Sequence, residues 1–267
     1  MDFRLLGPLA VAAQDHPIEV GRAKVRALLA ILLLRANDVV TRDQLVDQLW
    51  GARPPGNPRA TLHSHVALLR RLLESGTDRD LLVTHPVGYS LRVPAERIDI
   101  ARFEAAVADA DRSRSAGALD EAVAAYERGL GEWRGPALAD FAGEEFAAAP
   151  AARLEELRRV AAERRIDAAL ALGRHAQLVP DLEALAVEEP LREQRWGHLM
   201  LALYRTGQAA DALAVYQRLR RTLADELGLE PGPRLAQLHE AILRQDPALD
   251  VAPPAPAAPP ALDVAPP

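Results

Sequence analysis

The sequence predicts a mainly α-helical protein with a small amount of β structure, and three observations support this fold class. The segment from Arg59 to Glu74 places its apolar residues on one helical stripe. Two short runs of strand-forming residues follow that segment on either side of Gly88. The second half is rich in alanine and repeats one pattern of glycine, acid and tyrosine, which is typical of stacked helical hairpins.

The first predicted element is a small antiparallel sheet at the N-terminus. Apolar residues alternate between Phe3 and Val11 and return between Ile18 and Val20. The stretch Asp15-His16-Pro17 interrupts them, so we expect a break between two strands there.

A helix is predicted to begin after Thr41. The run Thr41-Arg42-Asp43-Gln44 is a capping box, in which the threonine caps the helix and the glutamine reaches back. This helix places Leu45 and Leu49 on its inner side and ends at Gly51. The proline- and glycine-rich stretch 54–58 separates it from the next helix.

The next helix has one apolar face and one face that is small, polar and basic. At about 100° per residue, four apolar side chains fall on one side: Leu62, Val66, Leu69 and Leu73. The opposite side holds Ala60, His63, Ser64, Ala67 and Arg71, with Arg59 and Arg70 beside it. A low-relief surface edged by guanidinium groups can enter a DNA major groove.

A β-hairpin is predicted downstream of this helix. Leu81–Thr84 and Tyr89–Val93 form its strands, and His85-Pro86-Val87-Gly88 joins them. We expect Gly88 to supply a positive φ in the turn. With one further helix ahead of them, these two helices closed by a hairpin describe a winged helix-turn-helix domain.

The sequence resembles a known family along nearly all of its length before the tail. Segments 21–38, 39–51, 60–73 and 83–93 resemble the OmpR-type DNA-binding domain, and more narrowly its form in the Streptomyces antibiotic regulatory protein (SARP) family. Trp133–Phe141 and Gln208–Pro247 resemble that family's bacterial transcriptional activation domain.

The resemblance implies a DNA-binding transcriptional activator. Its partners would be double-stranded DNA carrying direct repeats near a promoter, RNA polymerase, and a second copy of the chain as a homodimer on DNA. The implied target is a secondary-metabolite, or antibiotic, gene cluster. No cofactor, metal or aspartyl phosphorylation is implied.

We predict that the helix enters the major groove while the hairpin around Gly88 touches an adjacent minor groove. Arg59, Arg70 and Arg71 are predicted to hold phosphates. The complete set of predicted DNA-binding residues is Arg59, Ala60, Thr61, His63, Ser64, Ala67, Arg70, Arg71, Gly88, Tyr89 and Arg92.

The second half is predicted to be an all-α, tetratricopeptide-like domain. The repeated pattern begins at Gly117 and at Gly207, with tyrosines at Tyr126 and Tyr216, and a degenerate copy begins at Gly173. A period of 34 residues, as between the last two copies, is typical of such hairpins. The predicted domains are 1–97 (winged helix-turn-helix), 98–247 (activation domain) and 248–267 (disordered tail).

The charge distribution favours DNA contact by the first domain. Residues 1–97 contain 13 basic and 10 acidic side chains, a net of +3, although the whole chain carries −6. The arrangement of the arginines therefore matters more than their number. The chain has no cysteine and no long apolar span, so we expect a cytoplasmic, nucleoid-associated protein that contacts no membrane.

Other functional classes find little support in the sequence. His63 and His65 point to different sides of one helix, which argues against a metal site. Trp50, Trp133 and Trp196 lie among leucines and are predicted to be core residues. No phosphate-binding loop, nucleophile elbow or paired carboxylate is present, so the protein is predicted not to be an enzyme. The alternative is a helical scaffold or adaptor whose winged helix binds protein rather than DNA.

The C-terminal tail is predicted to be an extended, disordered linker or terminus. The heptapeptide ALDVAPP occurs twice, starting at Ala248 and Ala261, and the segment lacks enough apolar bulk to fold. Proline-rich tails usually serve as spacers, although a docking peptide and a linker to a further domain remain alternatives.

Overall fold

The computed structural model describes residues 1–14, 16–74 and 81–250 of the 267-residue chain. The chain divides into two compact units after residue 168. Among the described residues, α-helices dominate and two three-stranded sheets lie in the first unit, which confirms the predicted fold class.

The N-terminal sheet is antiparallel and consists of β1 (Asp2–Arg4), β2 (Ala10–Ala13) and β3 (His16–Pro17). His16 and Pro17 form a third strand where we predicted a break; Asp15 lies outside the described residues. Proline lacks a backbone N–H, but β3 is an edge strand and can tolerate that loss.

The winged helix-turn-helix is present as predicted. Its three helices pack against one another and are α1 (Ala23–Leu34), α2 (Arg42–Trp50) and α3 (Pro58–Glu74). Its sheet has the order β4-β6-β5, with β4 at Val40–Thr41, β5 at Leu82–Thr84 and β6 at Gly88–Leu91. We call β5, β6 and the loop 85–87 between them the wing.

The capping box at the start of α2 forms as the sequence predicted. The Gln44 amide donates to Thr41 Oγ1 at 3.2 Å, and the Thr41 amide donates to Gln44 Oε1 at 3.1 Å. The helix ends at Gly51, whose φ of 52° favours glycine. Local sequence therefore fixes both ends of the helix that precedes α3.

The rest of the described chain is helical. Its helices are α4 (Asp99–Ser115), α5 (Leu119–Leu130), α6 (Glu145–Ala171), α7 (His175–Glu188), α8 (Glu193–Arg205), α9 (Ala209–Leu227) and α10 (Pro233–Leu243). The three repeat glycines, Gly117, Gly173 and Gly207, each separate two helices with φ between 78° and 83°. Tyr126 and Leu182, at the tyrosine position of the pattern, are fully buried.

One hydrophobic core extends through the first unit, from the N-terminal sheet to α6. Asp99, at the start of α4, is fully buried and accepts hydrogen bonds from the amides of Leu5 and Leu6 at 2.7 to 2.8 Å. Burial raises the pKa of this carboxyl, although the backbone donors and Arg134 oppose the rise. The predicted boundary near residue 97 thus lies within a compact unit that ends at residue 168.

The tryptophans pack as predicted. Trp196 is buried, while Trp50 and Trp133 are partly buried against the core of the first unit. Trp133 contacts Phe103 edge to face, with ring centroids 5.3 Å apart. These indoles contribute apolar area to folding.

The structure describes residues up to 250, which lie beyond the predicted start of the tail at residue 248. Pro247–Leu249 form a 3-10 turn, and Arg205 Nε donates to the Leu249 carbonyl at 2.6 Å. Asp246 caps the turn by accepting from the Ala248 amide at 2.9 Å. The contact between Arg205 and Leu249 joins residues 44 positions apart, so local composition could not reveal it. The remainder of the predicted tail, 251–267, lies outside the described residues.

Candidate nucleic-acid interface

The outer face of α3 is exposed, and its opposite face is in the core. All four predicted stripe residues are buried, at 3% exposure or less. The exposed side chains are those predicted from the helical period, namely Arg59, Ala60, His63, Ser64, Ala67 and Arg71. The centre of this face carries small side chains, so another surface can approach the helix closely.

The first turn of α3 is held by local hydrogen bonds. Asn57 Oδ1 accepts from the Ala60 amide at 3.1 Å, and Thr61 Oγ1 donates to the Asn57 carbonyl at 2.9 Å. Thr61 is half-buried, whereas Ser64 is exposed and donates to the Ala60 carbonyl at 3.1 Å. These local hydrogen bonds stabilise the helix N-terminus and fix the positions of its polar side chains.

The three predicted phosphate-binding arginines differ in their surroundings. Arg71 is exposed and has no ion-pair partner among the described residues. Arg59 is 3.2 Å from Asp43, but both side chains are more than 70% exposed, so this pair is weak. Arg70 is half-buried and donates to the Leu82 carbonyl at 3.1 Å and to Thr84 Oγ1 at 2.9 Å. Arg70 thus connects α3 to the wing.

We expected Gly88 to have a positive φ, and this expectation was wrong. Glycine is required at this position because two strands approach each other closely. The residue is buried, and a Cβ at this position would lie 1.9 Å from the carbonyl oxygen of Val40. Glycine therefore allows β6 to pair with β4, where Gly88 faces Thr41. Its contribution to the interface is the placement of the wing.

Tyr89 is only 2% exposed, which assigns its side chain to the inside of the wing. Its ring meets His63 edge to face, with centroids 6.2 Å apart. The Arg42 guanidinium lies over the same ring, 5.4 Å from its centroid. Tyr89 thus joins the exposed His63 to the wing, while Arg92, just after β6, is exposed.

Sequence reasoning missed Arg42, the first residue of α2. Its guanidinium donates to the carbonyls of Pro86 at 2.5 Å and His85 at 3.1 Å. Its backbone amide donates to the Val87 carbonyl at 3.1 Å. In the sequence Arg42 lies within the capping box, and nothing local signals a partner more than 40 residues away.

The other flank of α3 holds His65, which stacks on Trp50 with ring centroids 6.0 Å apart. Burial lowers the pKa of His65, and the nearby charge of Arg22 lowers it further. In the part of the chain that the structure describes, no cluster of histidine and acidic side chains can hold a metal ion. Within that same part, no helix is both long enough and apolar enough to span a membrane.

The fold and this surface define the architecture of a winged-helix transcriptional regulator. Residues 17–91 match the family model described as "Transcriptional regulatory protein, C terminal", and residues 98–243 match "Bacterial transcriptional activator domain". Together these two domains are the SARP architecture. The chain belongs to the SARP family of transcriptional regulators.

Three relatives illustrate the extent of the match. Regulatory protein DnrI of Streptomyces peucetius is 37% identical over 266 residues, which cover 97% of this chain and 98% of DnrI. Regulatory protein AfsR of Streptomyces coelicolor is 42% identical over 92% of this chain and 24% of its own length. Transcriptional regulatory protein EmbR of Mycobacterium tuberculosis is 40% identical over 92% of this chain, and the match spans 64% of EmbR.

The fold of EmbR is similar to that of this chain over the same span. A solved structure of Mycobacterium tuberculosis EmbR in complex with a low affinity phosphopeptide superposes with a TM-score of 0.85 at 39% identity. The superposition covers 92% of this chain and 65% of the EmbR chain.

Proposed function

We propose that the protein is a DNA-binding transcriptional activator whose helix α3 lies in the major groove. The observation that supports this most is the exposed face of α3, where Ala60, Ser64 and Ala67 form a low surface beside the exposed Arg71. A B-DNA major groove is about 12 Å wide and admits a helix. Small side chains let the helix backbone approach the base edges closely.

Within this proposal, the residues of the interface have separate tasks. His63 and Ser64 contact base edges, while Arg59 and Arg71 neutralise phosphates. Thr61 and Ala67 complete the surface of the helix, and Arg92 supplies charge beside the wing. Arg70 places its charge next to the DNA backbone, and its guanidinium also donates hydrogen bonds to the wing.

The family supports the remaining parts of the proposal. We infer a homodimer on direct repeats near a promoter, with the helical domain contacting RNA polymerase and a secondary-metabolite gene cluster as the target. Repeats one helical turn apart would place both copies on the same side of the DNA. No chemical reaction is part of this function.

A salt-dependent binding experiment tests the proposal. The full chain is titrated by gel shift against the DNA upstream of its own gene and against an unrelated fragment of equal length, at several salt concentrations. We expect tighter binding to the upstream fragment and a linear fall of log affinity with log salt. Equal affinity for both fragments, or no binding, would favour the alternative of a protein-binding scaffold.

Arg71→Ala provides the sharpest test within that experiment. Loss of one phosphate contact should weaken binding to all sequences and reduce the salt slope by about one. Arg234→Ala is the matched control, because Arg234 is also exposed but lies on α10 in the other unit. An unchanged slope in Arg71→Ala would show that α3 is oriented differently.

A further inference from the structure

Hydrogen bonds within the hairpin and from helix α2 both hold the loop of the wing. Its three residues, His85, Pro86 and Val87, lie between β5 and β6, and Val87 is 60% exposed. Within the hairpin, the His85 amide donates to the Gly88 carbonyl at 2.9 Å, and the Gly88 amide returns a longer bond of 3.3 Å. His85 Nε2 lies 2.8 Å from Ser90 Oγ. The pairing of β5 with β6 adds to these contacts, but a two-stranded hairpin by itself is only marginally stable in water.

Arg42 adds contacts from outside the hairpin to every residue of this loop. Its two terminal guanidinium nitrogens donate to the carbonyls of His85 and Pro86, and its backbone amide donates to that of Val87. One residue of α2 thus binds three consecutive carbonyls. The planar guanidinium has the fixed donor geometry needed to serve two acceptors at once, which an ammonium group lacks.

The same side chain also lies over the Tyr89 ring, whose edge contacts His63 on the exposed face of α3. Arg42 is half-buried and its donors point towards the protein. This arrangement distinguishes Arg42 from Arg71, whose side chain is exposed.

We propose that Arg42 is a positioning residue that fixes the wing, and through Tyr89 the side chain of His63, in the geometry that DNA requires. This inference rests on the proposed DNA-binding function. A loop ordered in advance loses less entropy when it meets the minor groove. Arg42 would therefore raise affinity without itself contacting a phosphate.

The order of the wing can be tested without DNA. In the free, full-length protein, Arg42→Met keeps an unbranched side chain but removes the side-chain donors. We expect the amides of His85 and Gly88 to exchange with solvent at least about tenfold faster than in the wild type. Unchanged exchange at both amides would overturn the proposal, whether or not the protein binds DNA.

Measurements of DNA binding then distinguish a positioning role of Arg42 from direct contact between Arg42 and a phosphate. Arg42→Met should weaken binding about tenfold, the scale of lost hydrogen bonds to a charged group, while the salt slope stays at the wild-type value. Protection of the minor groove from hydroxyl radicals should be lost at the edge of the site, and protection of guanines in the major groove should remain. A slope reduced by about one would show that Arg42 contacts a phosphate, which contradicts the proposal.

Two further variants control for the loss of a positive charge and for a failure of Arg42→Met to fold. Arg35→Met removes an exposed arginine whose side chain makes no hydrogen bond within the described part of the chain, so it controls for the loss of charge. Arg42→Lys retains the charge and covers the case in which Arg42→Met fails to fold. We expect Arg42→Lys to show the same faster exchange; wild-type exchange in that variant would mean that charge alone orders the loop.

Discussion

At the scale of single residues, several positions matter because of neighbours that are distant in the sequence. Gly88 allows β6 to approach β4, and Arg42 and Arg70 hold the wing from two different helices. The helical period identified Arg70 and Arg71 as neighbours on α3. It could not show that Arg70 binds the wing while Arg71 stays exposed, because each arginine has a long, flexible side chain.

Gly88→Ala should destabilise the first unit. The added Cβ would lie 1.9 Å from the Val40 carbonyl oxygen, so the β4-β6 pair must separate. We expect the free energy of unfolding in urea to fall by about 2 kcal/mol or more. Gly56→Ala is the control, since a Cβ there meets nothing within 4 Å and should change stability by no more than about 0.5 kcal/mol. Equal effects of the two substitutions would mean that the strands can move apart without cost.

His175 should make stability depend on pH. It is 6% exposed, and neither ring nitrogen has a hydrogen-bond partner among the described residues. Burial, and to a lesser extent the charge of Arg205, lowers its pKa below the ordinary value of 6.5. As pH falls through 6.5, the unfolded chain takes up the proton before the folded chain does. The contribution of neutral His175 to the free energy of unfolding is therefore fully present above that pH and is lost progressively below it.

We therefore expect the melting temperature of the wild type to fall between pH 7.5 and pH 5.5, and His175→Met to show a smaller fall. Part of the dependence should remain, because the pKa of His65 is lowered in the same direction. His16→Gln, which changes an exposed histidine, should behave as the wild type does. An identical fall in wild type and His175→Met would remove His175 as the cause.

At the scale of the secondary-structure elements, the sequence predicted those features whose physical causes are local. The capping box at Thr41, the apolar stripe of α3 and the turn glycines of the helical hairpins all depend on residues within a few positions of one another. The wing strands followed from their composition.

Long-range pairings could not be predicted in this way. Asp99 binds the amide of Leu5, a residue 94 positions away, and neither residue carries a periodic signal for that contact. Only the folded structure reveals that β4 pairs with β6 and that His16–Pro17 form a third strand. These contacts explain why a change of composition near residue 97 does not coincide with the limit of the compact unit at residue 168.

The C-terminal segment permits a prediction at this scale. Deletion of residues 251–267, which are mostly proline and alanine, should leave the melting temperature and DNA affinity unchanged. Deletion from residue 248 also removes the Leu249 carbonyl that accepts from Arg205, and should cost about 1 kcal/mol of unfolding free energy. Differential scanning calorimetry of the two truncated chains distinguishes these effects. A large loss from the shorter deletion would identify residues 251–267 as a docking element.

At the scale of the whole molecule, the segment between β1 and β2 is joined by hydrogen bonds to residues 134–140, which follow α5. The Arg134 amide donates to the Leu6 carbonyl at 2.8 Å, and the Leu138 amide donates to the Leu5 carbonyl at 2.9 Å. The Leu9 amide donates to Asp140 at 2.8 Å. Backbone groups left without partners inside a protein are costly. The N-terminal sheet therefore depends on residues 98–168 for part of its stability.

This dependence leads to a prediction about fragments. A chain of residues 1–171, which ends with α6, should bind DNA with the affinity of the full chain. A chain of residues 1–97, the predicted first domain, should melt at a lower temperature because the amides of Leu5, Leu6 and Leu9 lose their acceptors. The fragment 1–171 lacks the hairpins of the second unit, so we expect it to bind the promoter without activating transcription by purified RNA polymerase. Equal melting temperatures for the two fragments would contradict the structural argument, and activation by the shorter chains would place the activating surface in the first unit.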